Sequence, residues 1–315
     1  MRLVVVWGLK TTDYGFFNGF YPARRLSDEC KKRGIALRFL FPEDLSSFLT
    51  RPIPETERKE SLILIRGTVS DAVVSRAESA GWRCVNDSRS RAVANDKLAT
   101  ARFLESGHWP APATFPASAL CLTAASGEAD AEGAQVPPLA FPLVIKPRFG
   151  SRGEGVILVR AQSELARLGI SSGHSAPGRS DPGHIAPGDD LIAQEYIAAS
   201  RGRDLRAFFA GGEVLAAAIR EGESGSFLSN ACAGGRFTGT VELPEFWRRT
   251  VLSIARESGL WYGSVDFLFT GERDLASPDS LTVCEINAAP GFEALERDCG
   301  LDIAGPLVEA LMRDF

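Results

Sequence analysis

Residues 141–160, FPLVIKPRFGSRGEGVILVR, place a lysine in one apolar run and a glycine-rich loop before the next run. Glycines let the backbone approach a polyphosphate closely, and free N–H groups in such a loop bind phosphate oxygens. A lysine at the end of the first strand adds a point charge for phosphate. An ordinary hairpin with an incidental lysine has the same pattern, so the stretch alone leaves both interpretations open.

The order of residues in this stretch excludes three common nucleotide-binding motifs. A Rossmann fingerprint has GxGxxG between a strand and a helix, whereas here the spacing is GxxGxG and the strand VILVRA follows. A P-loop has its lysine after the last glycine, but Lys146 precedes Gly150, Gly153 and Gly155. Protein kinases place a glycine loop between strands, but the sequence lacks their HRD, DFG and APE signatures.

Acidic and amide side chains in two later strands favour a magnesium site. Asp266 lies inside the apolar run YGSVDFLFT, and Glu285 and Asn287, two residues apart in LTVCEINAAPG, share one strand face. Buried carboxylates are costly unless they are paired or bound to a metal, and oxygen ligands suit Mg²⁺. A single acid in a strand is more often solvent-facing, but three oxygen-bearing side chains on two strands are harder to explain in that way.

Composition limits the class of protein. The 315 residues predict two or three domains, and 44% hydrophobic with 24% charged residues is ordinary for a soluble globular protein. The net charge of −5 argues against a broad nucleic-acid surface, and no apolar run reaches the ~18–20 residues that span a bilayer. Six scattered cysteines without a CxxC pair predict reduced thiols and therefore a cytoplasmic protein. From the charge and the hydropathy we expect neither nucleic-acid nor membrane partners.

Hydrophobic patterning predicts a small α/β domain with a parallel sheet at the start of the chain, because strands and helices alternate there. Strands are predicted at 2–7, 35–41, 61–67 and 82–86, and helices at 22–34 and 70–81.

The rest of the chain is predicted to contain a further helix and then mostly strands. The helix covers 95–107, with Asn95 or Asp96 as its cap. From residue 191 strands dominate, Gly211 and Gly212 predict a hairpin turn, and helices are predicted at 244–259 and 301–315. Two segments are poor in large apolar residues, which predicts a loop insertion at 121–138 and a mobile loop at 169–190.

Three stretches resemble the RimK-type amino-acid ligases of the ATP-grasp superfamily. The most specific is VCEINAAPGFEALERDCGLDIAGPLVEAL (283–311), which is similar to the family block E-x-N-x-x-P-G-x-x-x-x-E followed by G-x-D-I-A-G. The others are NDSRSRAVANDKLATARFLESGHWPAPAT (86–114) and LIAQEYIAASRGRDLRAFFAGGEVLAA (191–217). The resemblance covers roughly residues 60–315. It implies an N-terminal parallel-sheet α/β domain and a two-lobed ATP-grasp domain, divided as 1–90, 91–190 for the central lobe and 191–315 for the C-terminal lobe.

The resemblance also implies a set of site residues, with ATP lying between the two lobes. The nucleotide contacts that it implies are Lys97, Lys146, Gly150, Ser151, Gly153, Gly155, Gln194, Glu195, Tyr196, Ile197 and Asp204. The metal ligands that it implies are Asp266, Glu285 and Asn287, which would hold two Mg²⁺ ions for which Mn²⁺ substitutes. The catalytic candidates are Arg206, Arg220 and Asn230.

One departure from the family pattern concerns the residues near the reacting phosphate. The family usually has F-R-[ST]-N where this chain has FLSN, so Leu228 replaces an arginine, and Ala233 stands before Gly234 where a second arginine is common. Arg220 or Arg236 is expected to substitute. The resemblance implies an ATP- and Mg²⁺-dependent carboxylate–amine ligase that forms an amide through an acyl phosphate. A nucleotide-binding regulatory module or an ATP-grasp phosphotransferase remain the alternatives.

The substrates are expected to be a small-molecule carboxylate and an amine, for example glutamate joined to a peptide or metabolite, and a homo-oligomer is expected by resemblance. Arg66, at the end of the predicted strand LILIRG, is a candidate for substrate binding, because ligands bind at the carboxyl ends of parallel strands. A structural ion pair explains it equally well. The aromatic stretch DYGFFNGFYPARR (13–25) is expected to pack on the sheet, with an acceptor pocket as the alternative.

Overall fold

The computed structural model of the chain describes residues 1–52, 54–122, 140–150, 153–167, 190–229, 235–271 and 275–315. Within these residues the strands form three sheets: one parallel four-stranded sheet and two antiparallel sheets of four and five strands. This mixed α/β and α+β architecture confirms the predicted fold class. The predicted loop insertion at 121–138 and mobile loop at 169–190 fall almost entirely outside the described residues.

The N-terminal sheet is parallel, as predicted, and has strand order β2-β1-β3-β4. Its elements are β1 (Arg2–Gly8), α1 (Phe16–Gly19), α2 (Tyr21–Lys32), β2 (Ala36–Leu40), α3 (Pro42–Leu49), α4 (Glu55–Lys59), β3 (Ser61–Gly67), α5 (Asp71–Ser79) and β4 (Arg83–Val85). The central strands β1 and β3 are apolar on both faces because both faces are covered. Leu3 and Val5 pack into one core, and Val4 and Val6 into another on the opposite side.

The middle sheet is antiparallel and has strand order β5-β8-β6-β7. The elements of this part are α6 (Ser88–Asn95), α7 (Lys97–Ser106), β5 (Thr114–Pro116), α8 (Ala119–Leu122), β6 (Leu143–Pro147), β7 (Ile157–Val159), α9 (Gln162–Arg167) and β8 (Leu191–Glu195). The helix predicted from residue 95 begins at Lys97 with Asp96 as its cap, and a separate helix precedes it. Strand β8 pairs in this sheet, although residue 191 is where the third domain is expected to begin.

The C-terminal sheet has strand order β11-β10-β9-β12-β13. Its elements are β9 (Arg203–Ala210), β10 (Glu213–Glu221), β11 (Arg236–Thr240), α10 (Glu245–Ser258), β12 (Tyr262–Phe269), β13 (Leu281–Asn287), α11 (Glu293–Cys299) and α12 (Ala304–Asp314). The predicted hairpin between β9 and β10 is confirmed. Gly211 and Gly212 both have positive φ, +56° and +77°, which a two-residue hairpin of this type requires.

The C-terminal helix begins later than the pattern predicts. The predicted segment 301–315 becomes helical at Ala304, because Glu296 accepts hydrogen bonds from the backbone N–H groups of Ile303 and Ala304 at 2.8 and 2.9 Å. Pro306 lies in the first turn, where a missing N–H group costs nothing. Among the described residues, no helix combines the length and apolarity that crossing a bilayer would need.

Candidate active site

Charged side chains from four strands meet on one face of the C-terminal sheet. The register places Asp266 of β12 opposite Arg206 of β9 on one side and opposite Glu285 of β13 on the other. It also places Asp204 of β9 opposite Arg220 of β10. Residues directly opposite in an antiparallel pair share a face and approach closely. The sheet therefore assembles five charged residues that are up to 81 positions apart in the sequence.

Two arginines and two aspartates in this group form a buried network. Arg206 donates to both oxygens of Asp266, with Nε–Oδ1 at 2.8 Å and Nη2–Oδ2 at 2.6 Å. Arg220 binds both oxygens of Asp204, with Nε–Oδ1 at 3.0 Å, and its Nη2 also lies 3.3 Å from Asp266 Oδ2. Ser229 Oγ donates to Asp204 Oδ2 at 2.8 Å. The oxygens of both aspartates are thus engaged by side chains of the protein.

Asp266 is held in its charged form. Burial would raise the pKa of this carboxyl, but the Arg206 guanidinium and its hydrogen bonds outweigh burial and hold the pKa below its ordinary value. Arg220 and the Ser264 hydroxyl, 3.2 Å from Oδ1, act in the same direction. A carboxylate that is only 4% exposed is therefore available as an anion at neutral pH.

The end of β13 supplies the other candidate metal ligands. Glu285 lies across from Asp266 and forms no ion pair with another described residue. Asn287 lies across from Ser264, and its Nδ2 is buried without a hydrogen-bond partner among the described residues. No cluster of three or more Cys, His, Asp or Glu side chains suited to a metal occurs in the described part of the chain. Two carboxylates and one amide oxygen nevertheless fit Mg²⁺, which typically takes few protein ligands and completes its shell with water and phosphate.

Lys146 is the penultimate residue of β6, and its charge acts on Lys97 and Cys284 of the same region. It is 6% exposed, and its Nζ donates to Gln194 Oε1 of β8 at 2.8 Å. Gln194 Nε2 in turn donates to Thr114 Oγ1 of β5 at 2.9 Å. The Gln194 side chain therefore orients the lysine, and the lysine retains two N–H donors that this contact does not use.

Lys97, the first residue of α7, lies near both Lys146 and Glu285. Its Nζ donates to the Gly150 carbonyl at 2.7 Å. Burial lowers the pKa of Lys97, Glu285 raises it in part, and the positive charge of Lys146 lowers it further. A small cavity is lined by residues that include Lys97, Thr114, Gln194 and Glu285. The two lysines and the β13 carboxylate thus belong to one electrostatic site.

The glycine loop is tied at its start to the beginning of α7. Arg148 donates to both oxygens of Asp96, at 2.8 and 2.6 Å, and the Lys97 backbone N–H donates to the Arg148 carbonyl at 3.1 Å. Gly150, with φ of +111°, adopts a backbone conformation that other residues rarely take. The other two predicted loop glycines, Gly153 and Gly155, have φ of +76° and +70°. Ser151, predicted as a nucleotide contact, lies outside the described residues.

The predicted hinge segment follows β8. The Glu195 backbone N–H donates to the Ala113 carbonyl at 2.8 Å, and its exposed carboxylate accepts from the Ala113 N–H at 3.3 Å. Tyr196 and Ile197, the two residues that follow β8, are half-buried. The segment is therefore anchored through Glu195, and the following two residues are partly accessible.

The structure also shows what surrounds the departure at Leu228. Leu228 is half-buried, and Asn230, a predicted catalytic residue, lies outside the described residues. Of the two arginines expected to substitute, Arg236 is exposed on β11 opposite Glu221, whereas Arg220 is buried and paired with Asp204. Arg220 thus lies near the site, but the Asp204 carboxylate already balances its positive charge.

Sequence reasoning missed three contributors to this site. Ser229 and Thr114 each support a charged or polar site residue through one hydroxyl, a role that leaves no periodic signal in the sequence. Cys284 lines the cavity beside Glu285, and burial raises the pKa of its thiol to about 11. A thiol that stays protonated is a poor nucleophile, so the cavity contains polar and charged groups rather than an activated nucleophile.

Comparison with known proteins gives one consistent result. Residues 94–311 match the family model of the RimK-like ATP-grasp domain. A probable alpha-L-glutamate ligase from Picosynechococcus sp. is 31% identical over 244 residues, covering 77% of this chain and 71% of that protein. A probable alpha-L-glutamate ligase from Maridesulfovibrio salexigens is 28% identical over 306 residues, covering 93% of this chain and 92% of that protein. The ATP-grasp ligase PsnB, solved with a phosphomimetic variant of its minimal precursor, Mg and ADP, shares the fold with a TM-score of 0.61 at 18% identity, covering 98% and 97% of the two chains.

Proposed function

Because the chain belongs to the RimK-like ATP-grasp family and is an ATP-dependent ligase, we propose that it joins a substrate carboxylate to the amine of an amino acid. Glutamate is the first candidate, since the relatives from Picosynechococcus and Maridesulfovibrio are named alpha-L-glutamate ligases. The acceptor is proposed to be a peptide or a small molecule. The ATP-grasp ligase PsnB, which shares the fold, has been solved in complex with a precursor peptide.

One observation carries the proposal: the buried Lys146, the half-buried Lys97 and two carboxylates of neighbouring strands share one site. Lys97 and Lys146 would contact the ATP phosphates, and Asp266 and Glu285 would face them from the C-terminal sheet. Phosphoryl transfer to a carboxylate needs charge neutralisation and positioning rather than a protein nucleophile. The lysines would face the negatively charged phosphates, and the carboxylates would face the metal ion, so the site matches both charges of a metal–nucleotide substrate.

We propose that Glu285, Asn287 and Asp266 hold Mg²⁺. The ion would supply charge neutralisation on the transferring phosphoryl group. Two ions are proposed, with Mn²⁺ able to replace Mg²⁺, and the ADP and Mg in the PsnB structure are compatible with such a site. Chelation of the metal is expected to stop ADP formation, and a titration with Mg²⁺ or Mn²⁺ would count the ions.

The arginine–aspartate network would set the position of the reacting groups. Arg206, 13% exposed at its side chain, is proposed to stabilise the acyl phosphate that forms when the substrate carboxylate takes the γ-phosphoryl group. The amine of the second substrate then displaces phosphate and forms the amide. Asp204 is proposed to act by holding Arg220, since its oxygens accept hydrogen bonds from Arg220 and Ser229.

The test is product analysis with a matched pair of variants. Purified protein is incubated with ATP, Mg²⁺, a pool of amino acids and a pool of peptides, and ADP and amide products are followed by mass spectrometry. Glu285→Gln is expected to lower the rate by at least about 100-fold, because the metal site loses a charge at constant shape. The control is Glu293→Gln, a partly exposed glutamate on α11 that pairs with Arg297, and it should keep the rate.

Three outcomes would contradict the proposal. ATP bound tightly without turnover on any pool would indicate a regulatory module. A stable phosphorylated product without an amide would indicate a phosphotransferase. An unchanged rate in the Glu285→Gln variant would remove that residue from the metal site.

A further inference from the structure

Arg66 lies at the carboxyl edge of the N-terminal parallel sheet. It is the penultimate residue of β3 and pairs in register with Trp7 of β1. In open α/β sheets, ligands bind outside this edge, where the strand ends leave a crevice. Arg66 thus has the position of a ligand-binding residue and not that of a surface charge.

The side chain of Arg66 is enclosed by aromatic rings. Only 2% of the residue is exposed, and its guanidinium carbon lies 5.3 Å from the ring centre of Trp7, 5.6 Å from that of Tyr262 and 5.0 Å from that of Phe292. These rings come from β1, from β12 and from the segment after β13. The N-terminal domain and the C-terminal sheet therefore build the enclosure together.

The enclosed cation has no counter-charge within the described residues. Its Nε and Nη1 are buried without a hydrogen-bond partner, and it forms no ion pair with another described residue. Arg91 differs from Arg66 in its charge pairing. It is equally buried, and its Nη1 also lacks a partner, but its Nε donates to Asp71 Oδ1 at 3.1 Å and its Nη2 donates to the Val69 carbonyl at 2.6 Å. Arginine is almost never fully buried unless it is paired, and aromatic faces offset only part of the desolvation cost.

The enclosure lies along the same sheet face as the proposed reaction site. Tyr262 and Asp266 are four residues apart on β12, so their side chains share a face and lie roughly 13 Å apart along the strand. Phe292 follows Asn287 by five residues in the segment that leaves β13. About four extended residues span this backbone distance, so the side chains of both places have to reach towards each other to contact one small substrate.

We infer that Arg66 binds the free carboxylate of the substrate whose amine attacks, so that the site selects an anionic amino acid or peptide. The burial of an unpaired guanidinium implies that an anion binds there. The identification of this anion as the carboxylate of the amine substrate rests on the proposed ligase function. A guanidinium presents paired N–H donors that match a carboxylate. Because both unpaired nitrogens are enclosed, entry of the anion requires a movement of residues 289–292, which carry the Phe292 ring over the guanidinium.

The test compares Arg66→Met with Arg91→Met. The methionine keeps an unbranched apolar chain against the rings but removes the unpaired charge, so the Tm of the Arg66→Met protein is expected to equal or exceed that of the wild type. Its KM for the amine substrate is expected to rise about 10- to 100-fold, with the KM for ATP unchanged within about threefold. Arg91→Met breaks an existing pair and should lower the Tm, without a selective effect on the amine substrate. Arg66→Lys keeps a charge and should lie between the wild type and Arg66→Met in KM.

The two proposals fail in distinguishable ways. If an amide forms and its KM for the amine substrate is unchanged in Arg66→Met, the inference about Arg66 is overturned and the ligase function stands. If no amide forms with any pool, the ligase proposal fails, and thermal shift with millimolar glutamate or glutarate tests Arg66 by itself. A rise in Tm for the wild type that is lost in Arg66→Met supports the anion site. An equal rise in both proteins, or none in the wild type, overturns it, as does a Tm loss in Arg66→Met as large as that in Arg91→Met.

Discussion

Arg206 and Asp266 face each other across β9 and β12 and form both possible guanidinium–carboxylate hydrogen bonds, at 2.8 and 2.6 Å. The same carboxylate receives the Ser264 hydroxyl at 3.2 Å and Arg220 Nη2 at 3.3 Å. A metal bound by Asp266 would therefore share its oxygens with at least one arginine. The pair links the strand that carries the proposed catalytic arginine to the strand that carries a proposed metal ligand.

We predict that Arg206→Met lowers both stability and activity. Asp266 would keep only the 3.3 Å contact with Arg220 and the 3.2 Å hydrogen bond from Ser264, and an under-compensated buried charge costs about 2–4 kcal/mol in the free energy of unfolding. Urea unfolding at neutral pH measures this loss. The second substitution Asp266→Asn should recover part of the loss, because it removes the charge that Arg206 compensated. Arg249→Met, which alters an exposed pair on α10, is the control and should cost less than about 0.5 kcal/mol. Strictly additive effects of Arg206→Met and Asp266→Asn would contradict the coupling.

A second prediction concerns Lys146, which Gln194 holds in place through one hydrogen bond of 2.8 Å. Lys146→Met should raise the Kd for ATP about 10- to 100-fold, since it removes a charge-assisted contact to phosphate. Calorimetry with a non-hydrolysable ATP analogue and Mg²⁺ measures the change. Lys59→Met is the control: it removes a lysine on α4 whose side chain is 74% exposed, and it should leave the Kd for ATP unchanged. Equal affinities of the wild type and Lys146→Met would exclude Lys146 from the phosphate site.

Sequence patterns predicted most elements of this fold because the signals are local. The β-branched runs of β1 and β3, the paired glycines 211 and 212, and the proline and glycine that bound α10 each specify their own few residues. The separate helix α6 was not predicted, because Asp96 both ends one helix and caps the next, and the pattern indicated only the second. Three-residue elements such as β4 and β7 depend on pairing with their neighbours more than on their own composition.

The candidate site could be predicted only as a set of residues, not as an arrangement. The motif around Glu285 and Asn287 indicated oxygen ligands, but the pairing of Asp266 with Arg206 depends on the register between strands 60 positions apart. A shift of one residue would turn each of these side chains to the other face. The pairing of Arg220 with Asp204 has the same origin, and it changes the expectation that Arg220 replaces the arginine missing at position 228. The roles of these residues in catalysis stay predictions.

Asn86, directly after β4 of the N-terminal sheet, binds the start of β12 and the residue that follows β13. Its Nδ2 donates to the carbonyls of Tyr262 and Ala288 at 2.7 and 2.8 Å, and its Oδ1 accepts from the Trp261 and Tyr262 N–H groups at 2.8 and 3.2 Å. Ala288 directly follows the proposed metal ligand Asn287. The amide thus fixes the backbone on which that ligand is placed.

We predict that Asn86→Ala costs about 3 kcal/mol or more in the free energy of unfolding, because buried backbone groups lose their partners. Asn86→Asp should cost more, since its carboxylate oxygens would face two carbonyls. The concentration of Mg²⁺ at half-maximal ADP formation should rise in any variant that still folds. Denaturant unfolding and metal titration measure the two effects, with the exposed Asn18→Ala as control. A destabilised Asn86 variant with normal metal dependence would show that the contact is structural only.

Glu29 on α2 gives a prediction for pH. Lys32 Nζ lies 2.7 Å and Arg25 Nη1 3.1 Å from its Oε1, and Arg33 contacts its other oxygen. The hydrogen bond from Lys32, acting with the two arginines against burial, lowers the pKa of Glu29 to about 2. The carboxylate therefore binds its proton more weakly in the folded chain than in the unfolded chain, where its pKa is about 4.3. Its contribution to stability is fully present above that value and is lost as the pH falls towards 2.

Glu29→Gln should accordingly destabilise the protein by about 2 kcal/mol at pH 7, and the difference from the wild type should shrink as the pH falls from about 4.5 to 3. Urea unfolding at a series of pH values measures both free energies of unfolding. Glu309→Gln provides the matched control, because Glu309 also binds Arg33 but its side chain is 66% exposed, so its substitution should cost little at any pH. A Glu29→Gln deficit that stays constant between pH 7 and 3 would mean that the lost stability comes from the shape of the side chain and not from its charge.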